Sequence, residues 1–587
     1  MKQAIAALRF ARTWRAAAIY GSFLVTAALT LTAFFHVTSG FGTHMGSRAP
    51  VLMQQFAQAF ADGELYPRWM PAMNGGYGYP TFVYYQPALF FAALPLSGVL
   101  RAEAALLWTM VLIAGVGAAG MFALVRRLTG EPVTAWFCAM LFLLTPYLYV
   151  DWFVRGALAE LMAMLLVPWP LFLLVVLRDC VAQQRAVRWA VLGLGVSVAA
   201  LVTAHPIIAM FFLPLLGILA LVMLFEARLG RRRFLFALVG AALLGLLLSS
   251  PFWLTTLTMR PYVNLDKAFD GYYAAEGHTV YAAQFLDPTW GFGGSTVDNP
   301  SDDMSFQLGL PHLLLALVGL FLGRRSHFLV VCAAFYGGLV ILMTPLADPL
   351  WALKPFKYAQ FPWRLLALTA TFQVLLASGL SALWAASPRR KLALMAVVLA
   401  LVTAFHHHQF EAQSFDNDFD ETKENFDSTL SSSFKTMADT NEFTPRTASE
   451  RPTHPRGNQP IVEASAGGTV TFLEGSTDRH IVAQVVTSAP NRVQIRQLYL
   501  PGWRVSLDGE TVPTQVLEAG LDAFGLMWLD VGPGTHRLEA GYDGPPGWRW
   551  RNLVIFLGLL VFGGTFFWER RARSKTTSAA ESTAEQN

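Results

Sequence analysis

A polytopic α-helical membrane protein carrying one small exported β-sandwich domain is the fold class this sequence predicts, on three observations. The 587-residue chain is 54% hydrophobic and only 14% charged, with a mean hydropathy of +0.43, too apolar for an ordinary water-soluble domain. Its apolar residues gather into runs of about twenty, enough for a helix to cross a hydrocarbon core of roughly 30 Å. The stretch 461–542 reads differently, in short alternating runs broken by turn residues.

Candidate spans, by length and hydropathy, are 16–36, 103–124, 132–150, 157–177, 188–204, 207–225, 233–256, 307–323, 328–346, 365–386, 391–406 and 550–568, about twelve in all. Lys2, Arg9, Arg12 and Arg15 precede the first run with no small-residue cleavage site after it, so it reads as a retained span. One further apolar stretch, 81–100, is interrupted by Pro87 and Pro95. If it does not cross, the basic clusters Arg126-Arg127, Arg178 with Arg185 and Arg188, Arg228 to Arg233, Arg324-Arg325, Arg389 to Lys391 and Arg570 to Arg573 all fall on one side. The positive-inside rule then holds at every loop. The expectation is an interfacial helix at 81–100, both termini cytoplasmic in a bacterial inner membrane, and a cytoplasmic tail at 569–587.

The outer segments are then 37–102, 257–306, 347–364 and 407–548. A transmembrane unit over 1–406 is followed by a polar stretch, 407–460, that reads as an irregular tether. The β-sandwich is expected over 461–545, before the last helix at 549–568. Val493 to Arg496 and Val505 to Leu507 alternate, and Asp508-Gly509 and Gly532-Pro533-Gly534 read as hairpin turns.

The net charge of +4 is small and the basic residues lie between apolar runs, which is a topology signal and excludes a nucleic-acid patch. Cys138, Cys180 and Cys332 sit in apolar runs or at the cytoplasmic border, so no exported disulfide is expected. No glycine-rich phosphate loop or nucleophile elbow occurs. His406-His407-His408 lacks the spacing that lets ligands converge on a metal and reads as a solvated span end.

Polar chemistry collects at the outer ends of the spans. Asp151 and Arg155, four residues apart, can pair on one helical face. Glu160 would point elsewhere on a continuous helix, so a new helix starting near Gly156 is expected. A structural ion pair and a substrate site are both open there. His205 closes the fifth span. Lys354, Lys357 and Arg364, with Gln360 between them, place cations at headgroup depth, suited to a lipid-linked phosphate or to anionic lipid in general. Tyr272, Tyr273 and Trp290 lie among carboxylates in 257–306, a mixture that suits sugars as well as an interfacial aromatic belt. No metal site is assigned; a divalent cation at Asp302-Asp303 stays open.

Several short stretches resemble one family. These are Gly63 to Trp69, Gly76 to Pro80, Arg155 to Glu160, His205-Pro206, Gln360 to Arg364, Asn441 to Pro445, and Leu500 to Arg504 with Asp508-Gly509. Together the chain resembles the bacterial membrane proteins called 6-pyruvoyl-tetrahydropterin synthase-related, whose architecture is similar to the GT-C glycosyltransferases. The resemblance implies a GT-C-like fold and transfer of a sugar from a polyprenyl-phosphate carrier to an envelope glycan or protein acceptor, with no certain cofactor beyond the lipid-linked sugar donor. Taken with the residue chemistry above, the candidates are Arg155, Lys354, Lys357, Arg364 and Arg68 at the phosphate, and His205, Gln360, Tyr272, Tyr273 and Trp290 at the sugar. The GT-C pattern further places an acidic base in the first outer loop. Gly42 occupies that position here, which leaves His44, Asp151 and Glu160 as catalytic candidates. Two alternatives stand beside transfer: a non-catalytic glycolipid-binding or envelope-assembly protein, and a flippase or transporter of lipid-linked glycan. Nearly charge-free span centres count against the last.

Overall fold

The computed structural model describes residues 2–32, 40–45, 48–227, 230–383, 387–412, 415–416, 442–450, 456–465 and 467–550, with 552–553, 555–560 and 562–563 of the last helix. Among these, five helices are long and apolar enough to cross a membrane: Ala102–Thr129, Leu158–Ala182, Pro206–Glu226, Arg231–Tyr262 and Pro362–Leu383. Two bent pairs raise the number to seven, Pro132–Leu143 with Pro146–Arg155 at 41° and His327–Met343 with Pro345–Trp351 at 83°. The chain is a multi-pass helical membrane protein. Its long spans are fewer than expected because prolines restart the chain at 146 and 345 and several other segments are short. Ala16–Leu31, Arg188–Ala204 and Leu310–Gly323 are apolar but shorter, and Pro388–Phe405 opens on three cations. Residues past 563 of the predicted last span lie outside the described set.

Proline at a first helical turn sacrifices no hydrogen bond, and it opens Pro132–Leu143, Pro206–Glu226 and Pro388–Phe405. The stretch 81–100 forms a short turn and then Ala88–Ser97, ten residues or about 15 Å, half a hydrocarbon core. Tyr84 donates its hydroxyl to the Met259 carbonyl at 2.8 Å. Phe82 joins Phe56 and Phe90 at 4.8 and 4.9 Å between ring centres. Phe56 belongs to the amphipathic helix Arg48–Ala61, which buries Val51, Leu52, Met53, Phe56 and Ala59.

The C-terminal antiparallel domain has two sheets. One orders Gly468–Phe472, His480–Thr487, Gly534–Tyr542, Trp503–Leu507 and Glu510–Thr511; the other orders Val462–Ala464, Asn491–Leu498 and Leu526–Val531. Ile481, Val485, Val493, Ile495, Val505 and Leu538 fill a common apolar core. Asp508 and Gly509 both have positive φ, +54° and +84°, as a tight primed hairpin turn requires. Gly532-Pro533-Gly534 is not a hairpin turn: its flanking strands lie in different sheets. The turn residues are right, but each strand's apolar face selected a different sheet.

This domain is tied to the loop after the first amphipathic helix. Trp69 donates to Gln497 Oε1 at 2.8 Å and packs its ring on Trp503 and Tyr542 at 5.3 and 5.1 Å. Arg479 donates to Asp62 at 2.8 Å and to the Gln55 carbonyl at 2.9 Å. Within the polar stretch 407–460, residues 413–414, 417–441, 451–455 lie outside the described set. Phe443 in the described part is buried and stacks on Tyr84 at 4.9 Å.

Candidate functional site

The site grows from a break in the helical path. Pro146–Tyr149 runs into a single wide π-helical turn, Val150–Arg155; Gly156 then adopts a left-handed conformation at φ +65°, and a new helix starts at Leu158. On one continuous helix Arg155 and Glu160 would diverge by about 140°. The break swings Glu160 back. Arg155 Nη1 and Nη2 donate to its two oxygens at 2.8 and 3.0 Å, a bidentate pairing. Nη1 also reaches Asp151 and the Tyr147 hydroxyl at 2.9 Å. That hydroxyl donates to Glu160 at 2.6 Å. The expected Asp151 and Arg155 pair therefore forms, with Glu160 added to it.

Two more elements close over this network. Arg364, on the turn Pro362–Leu365, places Nε 3.3 Å from Glu160 Oε2. Its Nη1 donates to Gln360 Oε1 at 2.7 Å, and the Gln360 amide donates to the Ala268 carbonyl at 2.7 Å. His205 caps the helix Pro206–Glu226 by accepting from the Ile208 N–H at Nδ1, 3.3 Å. That bond directs Nε2 toward Glu160 Oε2, at 3.8 Å. Asp151 and Glu160 are sealed from solvent, at 0% and 1% exposure. Among the described residues, Asp151 Oδ2 and the Trp363 indole N–H are buried without a hydrogen-bond partner.

The segment 43–45 docks on the same break. The His44 N–H donates to the Val154 carbonyl at 2.9 Å and the Met45 N–H to the Arg155 carbonyl at 3.1 Å. A side chain at Gly156 would collide with Thr43. The segment 43–45 thus lies against the backbone that carries Arg155. The His44 ring is exposed and turns the other way, its Nε2 2.9 Å from the Phe292 carbonyl.

An aromatic path leads in from the surface. Tyr272, 52% exposed, lies 5.8 Å from Phe361, which stacks on Trp363 at 4.9 Å. Trp363 covers the Arg155 guanidinium at 4.6 Å. Tyr273 joins at Phe361, 6.1 Å away. Trp290 does not join this path; it packs on Phe292 at 5.9 Å, beside His44. Lys354 is exposed and Lys357 half-buried, and among the described residues neither has an ion-pair partner. The Asp266 carboxyl is held below its ordinary range by a hydrogen bond from Arg260, with Arg446 and Lys354 nearby. Arg68 lies elsewhere, over the rings of Tyr66 and Trp548 at 4.4 and 5.4 Å.

Three members of the site were not singled out by sequence: Tyr147, Phe361 and Trp363. Tyr147 precedes Asp151 and Arg155 at four-residue steps, a signal that was available. His406 departs from the expected solvated span end; it is buried against His312 at 5.3 Å, because Leu310–Gly323 begins beside it. Asp302 organises its own loop, accepting from the Thr296 N–H at 2.8 Å and from Asn299 at 3.2 Å. Among the described residues no group of three His, Cys, Asp or Glu could hold a metal ion.

The chain belongs to the Family of unknown function (DUF6541), whose pattern matches residues 70–444. No curated protein matches it in sequence. Among solved structures it is similar to the arabinofuranosyltransferase AftD from Mycobacteria, at 18% identity over 65% of this chain and 26% of that one, with a TM-score of 0.39. It is also similar to the Archaeoglobus fulgidus oligosaccharyltransferase tethered with an acceptor peptide, at 13% identity over 68% of this chain and 56% of that one, with a TM-score of 0.38. The chain thus spans about a quarter of the first and little over half of the second.

Proposed function

We propose that this member of the DUF6541 family is a GT-C-type glycosyltransferase that moves a sugar from a polyprenyl-phosphate carrier to an acceptor at the outer face of the cytoplasmic membrane. The observation that carries the reading is the continuous path Tyr272, Phe361, Trp363 onto the Arg155 and Glu160 network, with Arg364 in it. Flat aromatic faces suit the C–H face of a sugar ring. Cations on the 354–364 turn suit a phosphate. The same reading takes the shorter apolar helices as further spans and keeps both termini inside, in keeping with the resemblance to the 6-pyruvoyl-tetrahydropterin synthase-related proteins.

The geometry supports a division of the candidate roles. Arg155 gives its terminal nitrogens to Asp151, Tyr147 and Glu160, so it acts as a positioning residue. The carrier phosphate falls to Arg364, Lys354 and Lys357; Arg68 stands apart. An acceptor oxygen attacks the anomeric carbon, the bond to the phosphate oxygen breaks, and the carrier leaves with that electron pair as its charge is met by these cations. Asp151 and Glu160 are sealed from solvent and paired with Arg155, which leaves exposed His44, through the Nδ1 that does not bond the Phe292 carbonyl, as the candidate to take the acceptor proton.

A second reading, binding of a lipid-linked glycan without transfer, is favoured by Gly42 at the acidic position and by the closed state of both carboxylates. Native mass spectrometry of the protein purified with its own lipids separates the two. A polyprenyl-phosphate sugar adduct that is lost in Lys354→Ala/Lys357→Ala and in Tyr272→Ala supports the site. Product formed from that donor and a defined acceptor selects transfer; an adduct without product selects binding. Absence of any adduct from the native protein overturns both.

A further inference from the structure

Away from this site, the helices Lys2–Leu31, Ala102–Thr129 and Leu158–Ala182 border an open groove of about 680 Å³, within the range of roughly 300–1,000 Å³ of ligand sites. One wall is cationic: Arg126 and Arg127 close the helix Ala102–Thr129, and Arg185 follows the helix Leu158–Ala182. The other wall is apolar, formed by Tyr20, Phe122 and Phe172. A single carboxylate, Asp179, faces the three arginines. It is already engaged by Arg127 at 2.7 Å and by Arg178 at 2.8 Å. The side chains of Arg126 and Arg185 are exposed, and among the described residues neither has an ion-pair partner.

Such a cavity has an excess of positive charge at one end and aromatic surface at the other. Tyr20 is 45% exposed and meets Phe122 edge-on at 6.3 Å, so the apolar wall is continuous with the outside of the first helix. A free anion would use the arginines and leave the aromatic wall wet. An amphiphile with a phosphodiester head uses both. The basic clusters here are those the charge argument assigns to the cytoplasmic side, where anionic lipids concentrate cations.

We infer that this cavity is a specific site for one anionic phospholipid, its phosphodiester between Arg126, Arg127 and Arg185 and an acyl chain along Tyr20, Phe122 and Phe172. The inference does not depend on the sugar-transfer reading, since it uses none of the residues of that site. The occupant bridges the three helices that border the groove.

The test is native mass spectrometry of the full-length protein in detergent, delipidated and titrated with dioleoyl phosphatidylglycerol, dioleoyl phosphatidylcholine or inorganic phosphate. The native protein is expected to take one phosphatidylglycerol in preference to phosphatidylcholine. Arg126→Ala/Arg185→Ala should weaken that binding by roughly tenfold or more. Arg324→Ala/Arg325→Ala, which removes two exposed arginines outside the cavity, should leave it unchanged. Equal uptake of the two lipids overturns the inference, as does equal loss in both double variants. Displacement of phosphatidylglycerol by inorganic phosphate at the same concentration would reassign the cavity to a free anion.

Discussion

The backbone N–H of His44 donates to the carbonyl of Val154 over 2.9 Å, which ties the segment 43–45 to the helix break that builds the ion-pair network. The Met45 N–H adds a second such bond, to the Arg155 carbonyl at 3.1 Å. Gly156 is the hinge of that contact, with φ +65° and Thr43 where a side chain would stand.

Gly156→Ala should therefore destabilise the protein through two separable terms. A left-handed alanine costs about 1 kcal/mol, and the collision with Thr43 adds to it. Adding Thr43→Gly should recover the collision and leave the backbone strain. Thermal unfolding of the detergent-solubilised single and double variants measures both; a double variant no more stable than Gly156→Ala would show that Thr43 is not what the side chain meets.

Arg155→Ala should cost about 3–5 kcal/mol, because it leaves Asp151 and Glu160 buried beside each other with one cation fewer. Neutralising both carboxylates in the same chain, with Asp151→Asn and Glu160→Gln, should return part of that loss. Unfolding midpoints followed by size-exclusion chromatography test this. If the triple variant is no better than Arg155→Ala, the network is held by shape and not by charge. The result also decides whether loss of ligand binding in Arg155→Ala can be read as loss of a ligand contact.

Much of the arrangement could be read from the residues. Hydropathy located the helical segments, Asp508-Gly509 located a hairpin, and the pairing of Asp151 with Arg155 followed from their spacing. Gly156 marked the place where a helix restarts. What stayed hidden was direction: helix periodicity sends Glu160 away from Arg155, and only the left-handed turn at Gly156 brings it back. Contacts between distant segments were equally silent. Nothing local in Trp363 announces that it covers Arg155, and nothing in Thr43 or His44 announces the docking at residue 154. The sandwich turn at Gly532-Pro533-Gly534 misled because a turn's residues specify a reversal, not which sheet receives the next strand.

Gln497→Ala should loosen the C-terminal β-domain. Gln497 accepts from the buried Trp69 N–H at 2.8 Å and donates to the Gly76 carbonyl at 3.1 Å. Its removal strands an indole N–H, a loss of about 1–3 kcal/mol, at the seam between the two parts of the chain. Gln497→Glu keeps the acceptor for Trp69 but buries a carboxylate against the Gly76 carbonyl, so it should not rescue the seam. Limited proteolysis in the 442–465 region reports the seam: faster cleavage in Gln497→Ala with an unchanged helical circular-dichroism signal is the expected outcome, and unchanged cleavage would exclude a role for this bond in docking.

The last prediction concerns acid. Glu131 precedes the helix Pro132–Leu143 and accepts from the Thr134 N–H at 2.9 Å. It also pairs at 2.7 Å with Lys391, whose side chain is only 4% exposed. Partial burial raises the Glu131 carboxyl, but hydrogen bonds from Lys391 and Thr134 outweigh it and hold the group down to about 2, from an ordinary 4.5. A carboxyl lowered on folding binds fewer protons in the folded chain than in the unfolded one. Its contribution is therefore fully present above about pH 4.5 and is lost as the pH falls toward about 2. Glu131→Gln should lower the unfolding midpoint at neutral pH, by an amount corresponding to about 1 kcal/mol for the weakened cap and pairing. The gap from the native protein should narrow as the solution is taken below about pH 4. A gap that stays constant down to about pH 3 would mean that the Lys391 contact is made by the neutral acid as readily as by the carboxylate, and that the cap, not the charge, is what Lys391 serves.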